Sequence, residues 1–341
     1  MARIGPVRIG TVGYLNARPL SDRIDIDRHT LVMAHPAEVA RRTGSAVHAA
    51  GVFEPHGAIV QPALLARGLR RVALERGVRI FEGSRMTGLD RGRPPVVRTA
   101  HGALVAEKVV LATNAWAAGM RELRRLVVAL TSEIVATAPI PERLAEIGWS
   151  DGVAISDSQQ MLHYYRTTRD GRIAFGKGGG TLALGGRVDG DLFQRNPQIA
   201  DETTTDLRRI YPMLADVPIT HDWSGPIDRS PSGVPLLGRL GGRDHILYGV
   251  GWSGNGVGPS LVGGKVLAAL ALGANDELAT SAIVDNPRVG ALPPEPVRYL
   301  GGRVVRAAVA RKQRAQEEGR DADRVTSWIA SQAPAGVIPN D

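Results

Sequence analysis

Apolar residues recur along this chain in two rhythms: short runs that read as strands, and longer stretches at helical spacing. Residues 7–12 form a short β run that breaks at Gly13, and residues 30–34 form another that ends at Pro36. Residues 22–29 between them are polar and loop-like. Pro36 followed by Ala-Glu-Val-Ala-Arg-Arg predicts a helix with proline at its first position. Leu64, Leu65, Leu69, Val72 and Ala73 fall on one face of a helix that starts at Pro62 and is closed by Gly77. Residues 78–82 read as a strand, and residues 96–99 and 104–106 pair as a hairpin across His101-Gly102. Val109-Val-Leu-Ala-Thr113 is a continuous apolar run, which predicts a strand buried on both faces.

Further along, residues 132–138 read as a strand, and residues 161–168 and 172–176 flank Asp170-Gly171, a strong hairpin signal. Strand alternation puts Tyr164 and Arg166 on one face and Tyr165 on the other. A helix over 203–211 ends before Pro212. Residues 246–250 predict a buried strand, followed by a turn with glycines at 251, 254, 256 and 258 and a helix from Pro259 to Leu272 stopped by Gly273. Pro293-Pro-Glu-Pro296 is a rigid linker into an arginine-rich helix. No internal repeat is present.

Composition narrows the classes. The 341 residues are 43% hydrophobic, enough for a real core, and only 4% aromatic. The net charge of +8 looks basic, yet all but four of the 42 cations are arginine, a compositional bias rather than a patch. The densest basic stretch, residues 303–324, carries acids among its cations and no aromatic residue, so it reads as a solvated helix and not as a nucleic-acid surface. The chain has no cysteine, which excludes disulfides, thiolate metal sites, a cysteine nucleophile and a thioether-linked cofactor. Residues 262–274 are the best apolar run, too short to span a membrane and interrupted by Lys265. Arg3 and Arg8 are not followed by the apolar stretch of a signal peptide, so a cytoplasmic protein without membrane contact is expected. The eight histidines include no H-E-x-x-H, the serines no G-x-S-x-G, and Gly171 to Gly178 misses a phosphate loop because Gly178 stands where Ser or Thr is needed.

The chemistry concentrates at residues 249–273, GVGWSGNGVGPSLVGGKVLAALALG. A strand leaves a sheet, a glycine turn follows, and a small-residue helix presents its N-terminal N–H groups to that turn. Such an arrangement favours an anion or a polarised carbonyl, and the glycines let a flat ligand approach the backbone.

Several blocks taken in order resemble the glycine/D-amino-acid oxidase family of FAD-dependent oxidoreductases, in particular members similar to gamma-glutamylputrescine oxidase. They are Gly57-Ala-Ile-Val-Gln-Pro62, the run 109–116 with Asn114 where glycine is usual, Tyr164-Tyr-Arg166 with Asp170-Gly-Arg172, the stretch from Trp223 to Gly238, the 251–258 turn, and Leu300-Gly-Gly-Arg-Val-Val-Arg306. The resemblance runs from about Val47 to Gln332. It implies an α/β fold: an incomplete three-layer FAD/NAD(P)-binding-like part, with an antiparallel-sheet substrate domain. The FAD-binding part would span 47–130 and 223–284, the substrate domain 131–222, and a tail helix 291–341. The implied cofactor is FAD, touched by Met86, Thr113, Asn114 and Trp116 on the adenosine side. Gly225, Gly251, Trp252, Gly254, Asn255, Gly256, Val257 and Gly258 would face the flavin. Tyr164 and Arg166 would meet the substrate, a small-molecule amine or amino acid oxidised by hydride transfer to flavin N5; no general base is identified, and the oligomeric state is open.

Family members open with a strand, a G-x-G-x-x-G turn and a helix that hold the FAD pyrophosphate. No such opening stands at the start of this chain. Instead, Arg8-Ile-Gly10, Tyr14-Leu-Asn-Ala-Arg-Pro-Leu20 and residues 31–40 resemble the start of chorismate dehydratases, so residues 1–42 read as a fused segment. Two alternatives therefore stand beside the oxidoreductase: a catalytically defective remnant or fusion that binds no FAD, and a lyase resembling chorismate dehydratase.

Overall fold

The computed structural model describes residues 7–9, 32–48, 50–53, 58–149, 152–286 and 291–333. The expectations that rest on Gly13, residues 14–20 and Gly57 lie outside these residues. In chain order the first elements are β1 (Val7–Ile9), β2 (Val32–Ala34), α1 (Pro36–Thr43), β3 (Gly51–Phe53) and α2 (Pro62–Glu75). Strands β4 (Met86–Asp90), β5 (Val96–Thr99), β6 (Gly102–Val105), β7 (Val109–Leu111) and β8 (Val128–Thr137) lead to α3 (Pro141–Glu146). Then come β9 (Ile155–Asp157), β10 (His163–Thr167), β11 (Ile173–Lys177), α4 (Pro197–Ile210), β12 (Ile219–Arg229), β13 (Leu236–Arg239) and β14 (Ile246–Val250). Helices α5 (Pro259–Leu272), α6 (Val297–Glu317) and α7 (Arg324–Ala330) close the sequence of elements.

An eight-stranded sheet in the order β12-β8-β11-β10-β9-β1-β3-β2 forms the larger half. Its central ladder is antiparallel: Tyr164 sits opposite Gly176, Gly176 opposite Ile134, and Ile134 opposite Trp223. One face of this sheet is closed by α4 and α1 over Val135, Trp149, Ile155, Tyr165, Phe175, Leu207 and Tyr211. The rings interlock: Trp149 stacks on Tyr211 at 5.4 Å, Tyr165 on Phe175 at 4.9 Å, and Trp149 meets Tyr165 edge-on.

Strand β1, from the segment that the sequence sets apart at 1–42, pairs in the large sheet, parallel to β3 and antiparallel to β9. The smaller half holds β13-β14-β7, in which β14 and β7 run parallel, and the three-stranded β4-β5-β6. Helix α5 packs on β13 and β14 through Val266, Leu267 and Leu270, with Leu237 and Leu247 beneath.

Three expectations need correction. Residues 78–82 are not a strand; the β4-β5-β6 sheet begins only at Met86. The β7 strand is not buried on both faces, because Val109 and Leu111 point into the core while Val110 is 43% exposed. Helix α2 forms as its spacing predicts, with Gln61 capping it through the Leu64 N–H, but no residue of it is buried, and Leu64 and Leu69 stand open to solvent. A continuous apolar run cannot tell which of its faces will find a partner.

Candidate active site

The strand that ends at Val250 passes into the 251–258 turn, and β7, its parallel neighbour, passes into residues 112–114. Both segments thus leave the carboxyl ends of adjacent parallel strands, where open α/β sheets bind their ligands.

The turn is held from β12. Asp228, 1% exposed, accepts the Gly251 N–H on Oδ2 at 2.5 Å and the Trp252 N–H on Oδ1 at 3.0 Å, and its carbonyl accepts the Ser253 N–H at 2.8 Å. Burial pushes the Asp228 carboxyl up to about 6, against the pull of those N–H donors. Gly251 has φ of +80°, and a Cβ there would stand 2.9 Å from Ser230 Cβ, so only glycine fits. Trp252 folds back over α5, where Gly263 leaves room for its ring: a Cβ at 263 would sit 2.4 Å from it. Gly249-Val-Gly251-Trp-Ser-Gly254 does satisfy the G-x-G-x-x-G spacing, which inspection of 254–258 alone passes over. Its first glycine lies inside β14, however, and α5 begins only at Pro259, so the usual strand-turn-helix geometry is not reproduced.

The expected flavin contacts divide in two. Gly254, Gly258 and Gly225 have open space where a side chain would stand, apart from Ile227 Cδ1 at ordinary contact distance from Gly254. Asn255 Nδ2 is buried with no hydrogen-bond partner among the described residues. Gly251 and Gly256, by contrast, are occupied with packing against Ser230 and Trp252.

Met86, Thr113, Asn114 and Trp116 line one cleft of about 810 Å³, together with Arg85, Arg121 and Arg187. Asn114 takes φ of +44°, a left-handed conformation that explains why glycine would be usual there and why asparagine is tolerated.

Tyr164 and Arg166 lie on the sheet face opposite the aromatic core, while Tyr165, 2% exposed, belongs to that core. The Tyr164 ring lies over Gly176, whose missing Cβ would be 2.2 Å from it. Its hydroxyl is 2.8 Å from Ser132 Oγ, and Ser132 donates to the Lys177 carbonyl at 3.0 Å. The Tyr164 proton therefore goes to Ser132, which leaves lone pairs of the phenol oxygen as acceptors. Burial raises this phenol to about 12, so it stays protonated. Arg166 donates to the Val60 carbonyl at 2.8 Å, and no carboxylate lies within ion-pair distance of it among the described residues. Trp223, 41% exposed, and Gly225 share this face through the register of β12 on β8. Gly254 meets Ile227 on the same face of β12, which puts the glycine turn at the end of the Tyr164 face.

Sequence reasoning missed Ser132, Trp223 and Asp228. The last was visible within Trp223-Ser-Gly-Pro-Ile-Asp228, but nothing local tied it to a turn 23 residues away. It also missed a buried ion cluster on the core side of the sheet. His163 lies between Asp157, at 2.6 Å, and Asp206, at 3.1 Å, and Lys177 reaches Asp206 at 2.6 Å. Burial opposes charge on His163, but the two carboxylates outweigh it and carry the imidazole up to about 9.

A family profile for FAD-dependent oxidoreductases of the DAO type matches residues 15–270, which is three quarters of the chain. The chain belongs to the DAO family of FAD-dependent oxidoreductases. The match starts within the segment that the sequence sets apart at 1–42. The chain is 25% identical over 306 residues to "Probable oxidoreductase OrdL" of Haemophilus influenzae, covering 86% of this chain and 65% of that one. It is 28% identical over 237 residues to gamma-glutamylputrescine oxidoreductase of Escherichia coli, covering 69% of this chain and 53% of that protein. It thus spans about half to two thirds of the length of these DAO relatives. Glycine oxidase from Geobacillus kaustophilus superimposes with a TM-score of 0.62 at 18% identity, over 85% of this chain and 76% of that one. Iminodiacetate oxidase from Chelativorans gives 0.62 at 19%, over 83% and 76%. These last two likenesses concern the fold. No helix among the described residues is long and apolar enough to cross a membrane.

Proposed function

We propose that this DAO-family chain binds FAD with its flavin ring against residues 251–258 and oxidises a small amine or amino acid on the Tyr164 face of the large sheet. The observation that carries the reading is the buried, unpartnered Asn255 amide in a turn whose Gly254 and Gly258 leave open space. A buried donor without an acceptor costs about 1–3 kcal/mol, and a ring carbonyl would satisfy it. When bound, the flavin supplies the acceptor for the hydride leaving the carbon that carries the substrate nitrogen.

The chain's own residues bind and orient. Arg166, half-buried and with no carboxylate partner among the described residues, is suited to a substrate carboxylate or another anionic end. Tyr164 is suited to accept an N–H from the reacting amine and so to fix its lone pair. Trp223 walls the far side of the same face. The start of α5 would offer the positive end of its dipole to the ring, where it would favour negative charge. Thr113, Asn114 and Trp116, with Met86, suit the adenosine end.

The test is the purified full chain titrated with FAD. Saturable binding, flavin absorbance that stays with the protein through gel filtration, and bleaching of that absorbance by an amine or amino acid under anaerobic conditions are the expected results. Protein that stays colourless and gives no heat with FAD would establish the non-binding alternative instead.

A further inference from the structure

We propose that Asp228 is the positioning residue of the glycine turn, holding the backbone of residues 251–253 in the shape that leaves Gly254, Asn255 and Gly258 open to the cofactor ring. The proposal rests on the placement of the ring at this turn.

Asp228 meets three consecutive N–H groups: Gly251 on one carboxylate oxygen, Trp252 on the other, and Ser253 on its carbonyl. That stretch of backbone would not keep its shape unaided. Gly251 at φ +80°, Ser253 at +55° and Gly254 at +87° are all left-handed, and for Ser253 this conformation is unfavourable in a free chain. Ser253 is secured further by its hydroxyl, which donates to the Gly251 carbonyl at 3.1 Å and lies 3.3 Å from the Ser230 N–H. A carboxylate buried at this depth is a costly way to fill space, and no cation forms an ion pair with it among the described residues. What it offers that an apolar residue or an amide cannot is two acceptor oxygens facing two diverging donors. The N–H groups of 251–253 are thus turned inward to β12, and beside them Asn255 Nδ2 has no acceptor among the described residues.

Asp228→Asn tests this, because it keeps the size and removes one acceptor, setting an NH2 against a backbone N–H. Asp228→Glu, which keeps both acceptors on a longer arm, serves as the conservative variant. In the FAD-free full chain, amide hydrogen exchange at 251–253 should speed up at least about tenfold in Asp228→Asn, as expected for loss of a charge-assisted bond, and recover partly in Asp228→Glu. FAD affinity, followed by flavin fluorescence, should fall about tenfold or more in the same order, with exchange in the β8–β11 core unchanged. Should Asp228→Asn fail to fold, Asp228→Glu compared with Ser253→Ala gives the same ranking. Wild-type exchange at 251–253 together with wild-type FAD affinity in Asp228→Asn overturns the proposal alone. A wild-type chain that takes up no FAD, or takes it up without protecting 251–258, overturns the reading beneath it.

Discussion

The two faces of the large sheet solve opposite problems. On the core face, Trp149, Tyr165, Phe175 and Tyr211 interlock and His163 is clamped between two carboxylates, while His48 Nδ1, in the ring against Tyr165, has no hydrogen-bond partner among the described residues. On the other face, among the described residues, Arg166 has no carboxylate partner, Trp223 stands 41% exposed, and the adjoining turn leaves the buried Asn255 Nδ2 without a hydrogen-bond partner. The first face spends its chemistry on folding. The second leaves groups available, and unsatisfied groups beside a rigid support are what a ligand site requires. On the proposed reading, stability and ligand binding are separated by the thickness of one strand.

That separation can be broken by mutation. Tyr165→Ala should cost the most, about 3–5 kcal/mol in urea unfolding, since it removes a fully buried ring from an aromatic cluster. Tyr164→Phe, its immediate neighbour, should leave unfolding within about 1 kcal/mol and change the KM for the oxidised amine instead. Equal unfolding costs for the two would show that the faces are not distinct. His163→Leu should come next, at about 3 kcal/mol, because Asp157 and Asp206 would lose the cation between them.

The same clamp fixes a pH window. His163 is raised to about 9 in the folded chain, so its contribution is whole below about 6.5, its ordinary value, and disappears as pH rises through 9. Asp206 is held below the usual carboxylate range: burial acts to raise it, and His163 and Lys177 more than offset that. Its contribution is present above about 3.9 and falls away as pH drops further. The contribution of this clamp should therefore be greatest between about pH 4 and 6.5 and decline toward 9, and the difference in urea stability between the native chain and His163→Leu should shrink over that alkaline range.

Smaller effects sharpen the contrast. Gly254→Ala, at a left-handed position with ordinary space around it, should cost about 1 kcal/mol of stability while weakening FAD binding more than that strain alone explains. Leu69→Gln on α2 should change unfolding by less than about 0.5 kcal/mol, since the leucine is already 59% exposed. A larger loss would mean that this helix face is covered in solution.

Much of the site was legible because it is local. The Asp170-Gly171 hairpin sets the register of β10 and β11, and period-two alternation then sorts Tyr164 and Arg166 from Tyr165. A tolerated left-handed asparagine was implicit in Asn114 standing where glycine is usual. Ser132, Asp228 and the His163 cluster were not legible. Each acts on a residue of another element, and a pairing across 23, 32 or 43 positions leaves no trace in spacing.

The sequence by itself determined the elements around the site, the hairpin register, the glycine turn and its helix, and the family, since each depends on residues a few positions apart whose periodicity and turn chemistry act on the local backbone. Only the tertiary structure decided that Val7–Ile9 joins the large sheet, that one side of Val109–Leu111 stays uncovered and no residue of Pro62–Glu75 becomes buried, and that Asp228 grips the turn. Burial and long-range hydrogen bonds are properties of which surfaces meet, and an apolar pattern states that a face seeks a partner without saying which one it finds.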